Sequence, residues 1–223
     1  MLFQFPKALS AEQLQRLRQL IRGKAFVVGA STATGAAARV KNNLQLPTDS
    51  DEARAAARFL LEALGTHPLV QLAVQPRAFA QPLFSKYEVG MSYGYHLDSP
   101  LIHRGQPIRS DVSITVFLNP MDEYDGGELM IDVGSQTVSV KGDAGDCVIY
   151  PSSTFHRVAE VTRGVRLVAV LWAQSLVRHD GQRDILFDLG CVLQYWISTG
   201  AGGEYTDHLR RSYNNLLRLW AEL

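Results

Sequence analysis

His96-Leu97-Asp98 sets an imidazole and a carboxylate two residues apart. On an extended strand, side chains two apart leave the same face, so the pair can converge on one point while Leu97 turns into the packing. Ser99-Pro100 follows and ends the strand, which puts the pair at its mouth. Taken alone, the triplet is weak evidence, and a hydrogen-bonded surface histidine is the commoner reading.

His156 adds a third donor, 60 residues after His96 and in a second β-like run that follows GDCVIYPSST. Two histidines and one carboxylate on the rims of a β sandwich match the facial triad of non-haem Fe(II) sites. Such a triad fills one face of an octahedron and leaves three positions open. Neutral imidazole and carboxylate suit Fe(II) without a thiolate, so Cys147 is expected in the core.

Arg166 lies inside VRLVAVLW, a run apolar on both faces, where a permanent charge is costly unless it meets an anion. FHRVAEV and VRLVAVLW read as a hairpin around Thr162-Arg163-Gly164. With a three-residue loop, Arg166 falls opposite Glu160, and His156 and Arg166 share a face roughly 13 Å apart along the strands. That span leaves room for a small dicarboxylate, one end chelating a metal and the other taking a bidentate guanidinium contact. The rival is a plain Arg166–Glu160 ion pair, and a two-residue turn would put Arg166 on the other face.

The elements that must position these residues follow from the hydrophobic period. Ser10-Ala-Glu-Gln13 reads as a capping box, with Leu14, Leu17 and Ile21 at helical spacing and Gly23 as a stop. A second helix is predicted over Asp51–Leu64, ended by Gly65, and the small, polar stretch Gly29 to Pro47 as irregular structure. After Pro82 come PLFSKYEV, DVSITVFLN, GELMID, QTVSVK, DCVIYP, FHRVAEV and VRLVAVLW, short runs separated by turn clusters. Many short strands without intervening helices predict an antiparallel double-sheet jelly roll. Helical stripes return at Ile185, Leu189, Val192, Leu193 and Trp196, then at Leu209, Tyr213, Leu216, Leu217 and Trp220, joined by the linker STGAGGE. The expected class is therefore mainly β with flanking helices: an N-terminal helical region at 1–77, a jelly-roll domain at 78–177 and a C-terminal helical region at 178–223.

The ordered set YGYHLD, SDVSITVFLNP, YDGGEL, AGDCVIYPSSTFHRV and TRGVR, with VKNN at 40–43 and NLLRLW at 215–220, resembles the PKHD-type hydroxylases. These are Fe(II)/2-oxoglutarate dioxygenases related to prolyl and lysyl hydroxylases, and the resemblance covers nearly the whole chain. It implies that His96, Asp98 and His156 are the iron ligands and that Arg166 anchors 2-oxoglutarate. Tyr87, nine residues before His96, matches a tyrosine that touches the cosubstrate in related prolyl hydroxylases. One departure is Val168, where some dioxygenases carry an Arg-x-Ser hydroxyl, so Arg166 needs help from Tyr87 or another donor. The implied reaction couples oxidative decarboxylation of 2-oxoglutarate by O₂ at Fe(II) to hydroxylation of a C–H bond, with succinate and CO₂ released and L-ascorbate keeping the iron reduced. The substrate, of peptidyl or amino-acid class by that kinship, is not named by any residue. Two rivals are a cupin-like metalloenzyme that uses no 2-oxoglutarate and a non-catalytic iron or 2-oxoglutarate sensor.

Composition narrows the partners. The 223 residues are 46% hydrophobic, with 22 basic and 22 acidic side chains, so disorder is excluded and no electrostatic footprint for nucleic acid or an anionic membrane exists. MLFQFPKALSAEQ lacks the pattern of a signal peptide, and the two cysteines form no framework, which predicts a cytoplasmic protein. The apolar stripes of the terminal helices predict a homodimer, the rival being that both helices pack on the outer face of their own sheet. Asp125-Gly126-Gly127-Glu128 is expected to be a turn, His67 a helix cap, His103 a solvated loop residue, and His179 and His208 peripheral.

Overall fold

The computed structural model of the chain describes residues 1–103 and 106–223. It opens with β1 (Phe3–Phe5) and α1 (Ala11–Ile21), where the capping box closes as expected: Ser10 Oγ accepts from the Gln13 N–H, and Gln13 Oε1 accepts from the Ser10 N–H. The Gly29–Pro47 region, expected to be irregular, lies among β2 (Val27–Val28), a 3-10 turn, α2 (Gly35–Arg39), β3 (Lys41–Asn42) and β4 (Leu44–Gln45). Strands of two residues are too short for an alternating pattern to show. The next helix, α3 (Asp51–Thr66), passes through Gly65 instead of ending at it. The stop is set by Pro68, which disfavours helical backbone at the residue before it. His67 thus caps the C-terminus of α3 and the N-terminus of α4 (Pro68–Val74), where its Nδ1 accepts from the Val70 N–H at 3.3 Å.

Among the described residues thirteen further strands follow: β5 (Pro76–Phe79), β6 (Leu83–Tyr87), β7 (Ser92–His96), β8 (Leu101–Ile102), β9 (Ile108–Arg109), β10 (Val112–Phe117), β11 (Tyr124–Gly126), β12 (Leu129–Val133), β13 (Gln136–Val140), β14 (Cys147–Pro151), β15 (His156–Val158), β16 (Val161–Gly164) and β17 (Arg166–Ser175). The major sheet runs β1-β14-β10-β17-β6-β4-β2, with β5 also on β17, and the minor sheet runs β13-β12-β15-β7-β3. The pairings are antiparallel. The first 77 residues therefore contribute strands to both sheets as well as helices.

Period two sorts the major sheet into two faces. Val112, Ile114 and Val116 of β10, Cys147 and Ile149 of β14, and Ala169, Leu171 and Ala173 of β17 join the core shared with α1, α3 and α4. The alternate residues Phe117, Val148, Tyr150, Val168 and Tyr87 pack between the sheets against Leu129, Ile131, Val140 and Val158. Both faces are buried, which is why VSITVF and RLVAVLW read as near-continuous apolar runs.

The expected hairpin between FHRVAEV and VRLVAVLW does not form. β15 belongs to the minor sheet and β17 to the major one, while the connecting β16 pairs with β11. Arg166 stands opposite Tyr87, and Glu160 lies exposed at the surface. The Asp125-Gly126-Gly127 turn makes this possible: a Cβ on Gly126 would lie 2.0 Å from the Glu160 carbonyl oxygen, at a φ of +70° that also favours glycine.

At the C-terminus, α5 (Asp180–Thr199) ends on Gly200 in the left-handed region, and α6 (Tyr205–Trp220) folds back on it. Gly190 of α5 packs against Leu72 of α4. Gln75 Nε2 donates to Tyr213 Oη at 2.8 Å, and Glu222 pairs with Arg109 and Arg178. Among the described residues, no helix is long and apolar enough to cross a membrane.

Candidate active site

β7 and β15 are neighbours in the minor sheet, and their register sets His96 directly opposite His156. Asp98 lies two residues past the end of β7. Ligand atoms of His96, Asp98 and His156 all fall within 4.8 Å of one another, a spacing one metal ion could bridge. Both rings are held through Nδ1: His96 Nδ1–H donates to the Gly94 carbonyl at 2.8 Å, and His156 Nδ1–H donates to the Thr154 carbonyl at 2.9 Å. A carbonyl can only accept, so each Nδ1 carries a proton, and the neutral form of each ring would present the Nε2 lone pair to a metal. Burial, and next the electrostatic influence of the neighbouring His156 ring, push the His96 imidazole down to about 4, which keeps it neutral at physiological pH. The donor set fits a divalent transition metal such as Fe(II).

The carboxylate is positioned by residues whose role the sequence does not display. Ser113 of β10 donates to Asp98 Oδ2 at 2.5 Å, and its hydroxyl also lies 2.8 Å from Ser152 Oγ. Ser113 is fully buried, and Thr115 and Phe117 follow it on the sandwich side of β10. The legible signal is the polar alternation Ser113-Ile114-Thr115 inside an otherwise apolar strand. Tyr93 stacks on His96 with ring centres 3.6 Å apart, and Tyr150 meets His156 edge-on at 5.1 Å. Burial raises the Tyr93 and Tyr150 phenols, so both stay protonated.

Arg166 comes from the other sheet. The alternation that turns Val168, Val170 and Trp172 inward carries Arg166 inward too, where it is 1% exposed. Its guanidinium lies 5.1 Å from the Tyr87 ring centre and 5.8 Å from that of Phe117, and its Nε has no hydrogen-bond partner. A buried cation with an open donor is the feature a carboxylate ligand would complete. The triad, Arg166 and Tyr87 line one cavity of about 900 Å³ between the sheets. His156 and Arg166 thus face a common space from opposing sheets, not along one hairpin. Of the remaining histidines, His103 is exposed on the cavity rim, His179 precedes α5 and His208 sits on α6. Cys147 is core, its thiol pushed up to about 12 by burial.

Residues 82–174 match the family model of the 2OG-Fe(II) oxygenase superfamily, and residues 180–222 match the PKHD-type hydroxylase C-terminal domain. The fold is shared with a prolyl-4-hydroxylase of Pseudomonas putida at TM-score 0.53 and 21% identity, covering 78% of this chain and 92% of that one. It is shared also with a Trichoplax adhaerens prolyl hydroxylase, solved with a hypoxia inducible factor peptide fragment, at TM-score 0.58 and 16% identity, covering 83% and 86%. The two family-model matches place the chain among the 2OG-Fe(II) oxygenases, and the shared fold agrees with them. A PKHD-type hydroxylase of Burkholderia ambifaria is 42% identical over 226 residues, with both chains covered completely. The chain belongs to the PKHD-type hydroxylases, and is an oxidoreductase. That membership favours the hydroxylase over the sensor and the cupin-like enzyme.

Proposed function

We propose that this chain hydroxylates a C–H bond of a peptidyl or amino-acid substrate in a reaction requiring Fe(II), O₂ and 2-oxoglutarate. The observation that carries the reading is one cavity lined by a buried His-Asp-His cluster on one sheet and a buried arginine with an open Nε on the other. In this reading His96 Nε2, an Asp98 carboxylate oxygen and His156 Nε2 hold the metal, while Arg166 takes the distal carboxylate of 2-oxoglutarate with Tyr87 beside it. When bound, Fe(II) and 2-oxoglutarate supply oxidative decarboxylation by O₂, yielding succinate, CO₂ and a hydroxylated product. The chain supplies orientation and shelter: the Gly94 and Thr154 carbonyls fix the imidazole tautomers, Ser113 fixes the carboxylate, and the two sheets exclude bulk water.

Residues 78–177 supply the triad and Arg166, strands from the region 1–77 complete both sheets around them, and the region 178–223 packs as a helical pair. Ascorbate serves as the reductant that restores Fe(II), the chain acts in the cytoplasm, and nucleic acid and membrane are not partners. Ile185, Val192, Tyr195 and Ile197 on α5 and Leu219 on α6 remain exposed, and no residue of α6 is fully buried, which supports a homodimer built on these helices.

The test is conversion of 2-oxoglutarate to succinate with Fe(II) and O₂, followed by mass spectrometry of candidate peptides and amino acids for one added oxygen. Fe(II)-dependent succinate is expected; an iron-loaded, folded protein that neither binds 2-oxoglutarate nor makes succinate would overturn the reading.

A further inference from the structure

Asn43 is the residue at which the chain leaves the minor sheet, after β3, and enters the major sheet at β4. Lys41, Asn43 and Gln45 all line the cavity. The outer two have partners: Lys41 Nζ donates to Thr32 Oγ1 at 2.7 Å, Thr32 donates to Gln45 Oε1 at 2.5 Å, and Gln45 Nε2 donates to Ser85 Oγ at 2.9 Å. Asn43 does not. It is 3% exposed, and neither Nδ2 nor Oδ1 has a hydrogen-bond partner.

An amide buried without partners is costly, and an apolar side chain would fill the same space without that cost. The surrounding chain nonetheless holds this amide in place. A Cβ on Gly29 would come 2.1 Å from Asn43 Oδ1, so only glycine leaves room, and the Gly29 N–H donates to the Asn43 carbonyl at 2.9 Å. On the cavity side Asn43 neighbours Tyr87. Burial pushes the Tyr87 phenol up; the Arg166 charge, then a side-chain approach of the Asn43 amide that falls short of full hydrogen-bond geometry, pull against that rise. Arg166 Nε is a second buried donor without a partner on the same cavity. Val168 has no hydroxyl to offer beside the guanidinium. An open amide N–H and an open guanidinium N–H on one cavity match a ligand that ends in a carboxylate, which accepts several hydrogen bonds at once.

We propose that Asn43 is a further cosubstrate-binding residue, its side-chain amide donating to the distal carboxylate of 2-oxoglutarate beside Arg166. The inference rests on the proposed function and adds to it a contact from the N-terminal segment, outside the oxygenase-domain match at 82–174.

The experiment is anaerobic calorimetric titration of 2-oxoglutarate, and separately of 2-oxobutyrate, into Mn(II)-loaded protein. 2-Oxobutyrate keeps the metal-chelating end and lacks the distal carboxylate. Asn43→Ala is expected to raise the Kd for 2-oxoglutarate about ten- to hundredfold, the value of a hydrogen bond to a charged group, while the Kd values for 2-oxobutyrate and Mn(II) stay unchanged. Asn43→Asp, which preserves the shape, is expected to weaken 2-oxoglutarate further by setting a carboxylate against a carboxylate. Equal affinity for 2-oxoglutarate in all three proteins, or an equal loss for both oxo acids, would overturn the role of Asn43. Failure of the wild-type protein itself to bind 2-oxoglutarate would overturn the underlying reading instead.

Discussion

Asp98 offers two carboxylate oxygens, and Ser113 already holds one of them. That contact aims the carboxylate, and it is made from a strand of the opposite sheet. Removing the hydroxyl in Ser113→Ala leaves Asp98 free to rotate, and Mn(II) affinity is expected to fall about tenfold or more, as for other outer-shell partners of metal ligands. Ser113→Thr keeps the hydroxyl and is expected to recover most of the loss; metal titration with circular dichroism as a fold control checks both. Arg166 is the second residue with a sharp consequence. Arg166→Ala removes a buried charged contact worth about 2–5 kcal/mol, so the KM for 2-oxoglutarate is expected to rise by well over tenfold with metal affinity unchanged. Arg166→Lys restores the charge without the planar fork and is expected to recover only part. Steady-state kinetics of succinate release measures the series.

Elements differ in how much of themselves they display in sequence. The capping box at Ser10, the strands after Pro82 and the terminal helices are legible because each carries several residues of its own period. His96 and Asp98 are legible because they are close in sequence and His156 follows a recognisable strand. Arg166 is legible as a charge in an apolar run. Its geometry is not, because consecutive strands usually pair, whereas here β16 pairs with β11 and sends β17 to the other sheet. Asn43 and Ser113 stay hidden for a related reason: the role proposed for Asn43 depends on a crossover between sheets, and the Ser113 contact with Asp98 on one face of a fully buried strand. The β11 turn is the element that most directly couples fold to site. Gly127 sits at a φ of +68°, and a Cβ there would come 2.9 Å from Arg166 Cδ. Gly127→Ala is therefore expected to lower the Tm and to weaken 2-oxoglutarate binding together, whereas Gly134→Ala, at a similar φ with nothing within 4 Å, is expected to lower the Tm alone.

Across the whole molecule, two sheets bring the His-Asp-His cluster and a buried arginine to opposite walls of one cavity, and helices cover the outer face of the major sheet. The C-terminal pair is joined to this body through Gln75–Tyr213 and the Arg109–Glu222–Arg178 cluster, yet it leaves an apolar face uncovered. Light scattering of the full chain is expected to give twice the 24.7 kDa chain mass, and Val192→Glu on the exposed face of α5 is expected to shift it toward monomer; a monomer at high concentration would remove the dimer. The central claim, that the triad and Arg166 serve the two ends of one cosubstrate, is tested most directly by an anaerobic crystal structure with Mn(II) and 2-oxoglutarate. The expected result is one metal ion held by His96 Nε2, Asp98 and His156 Nε2, with the oxo-acid end of 2-oxoglutarate on that ion and its distal carboxylate on Arg166. Metal bound through other residues, or a cosubstrate whose distal carboxylate lies away from Arg166, would contradict it.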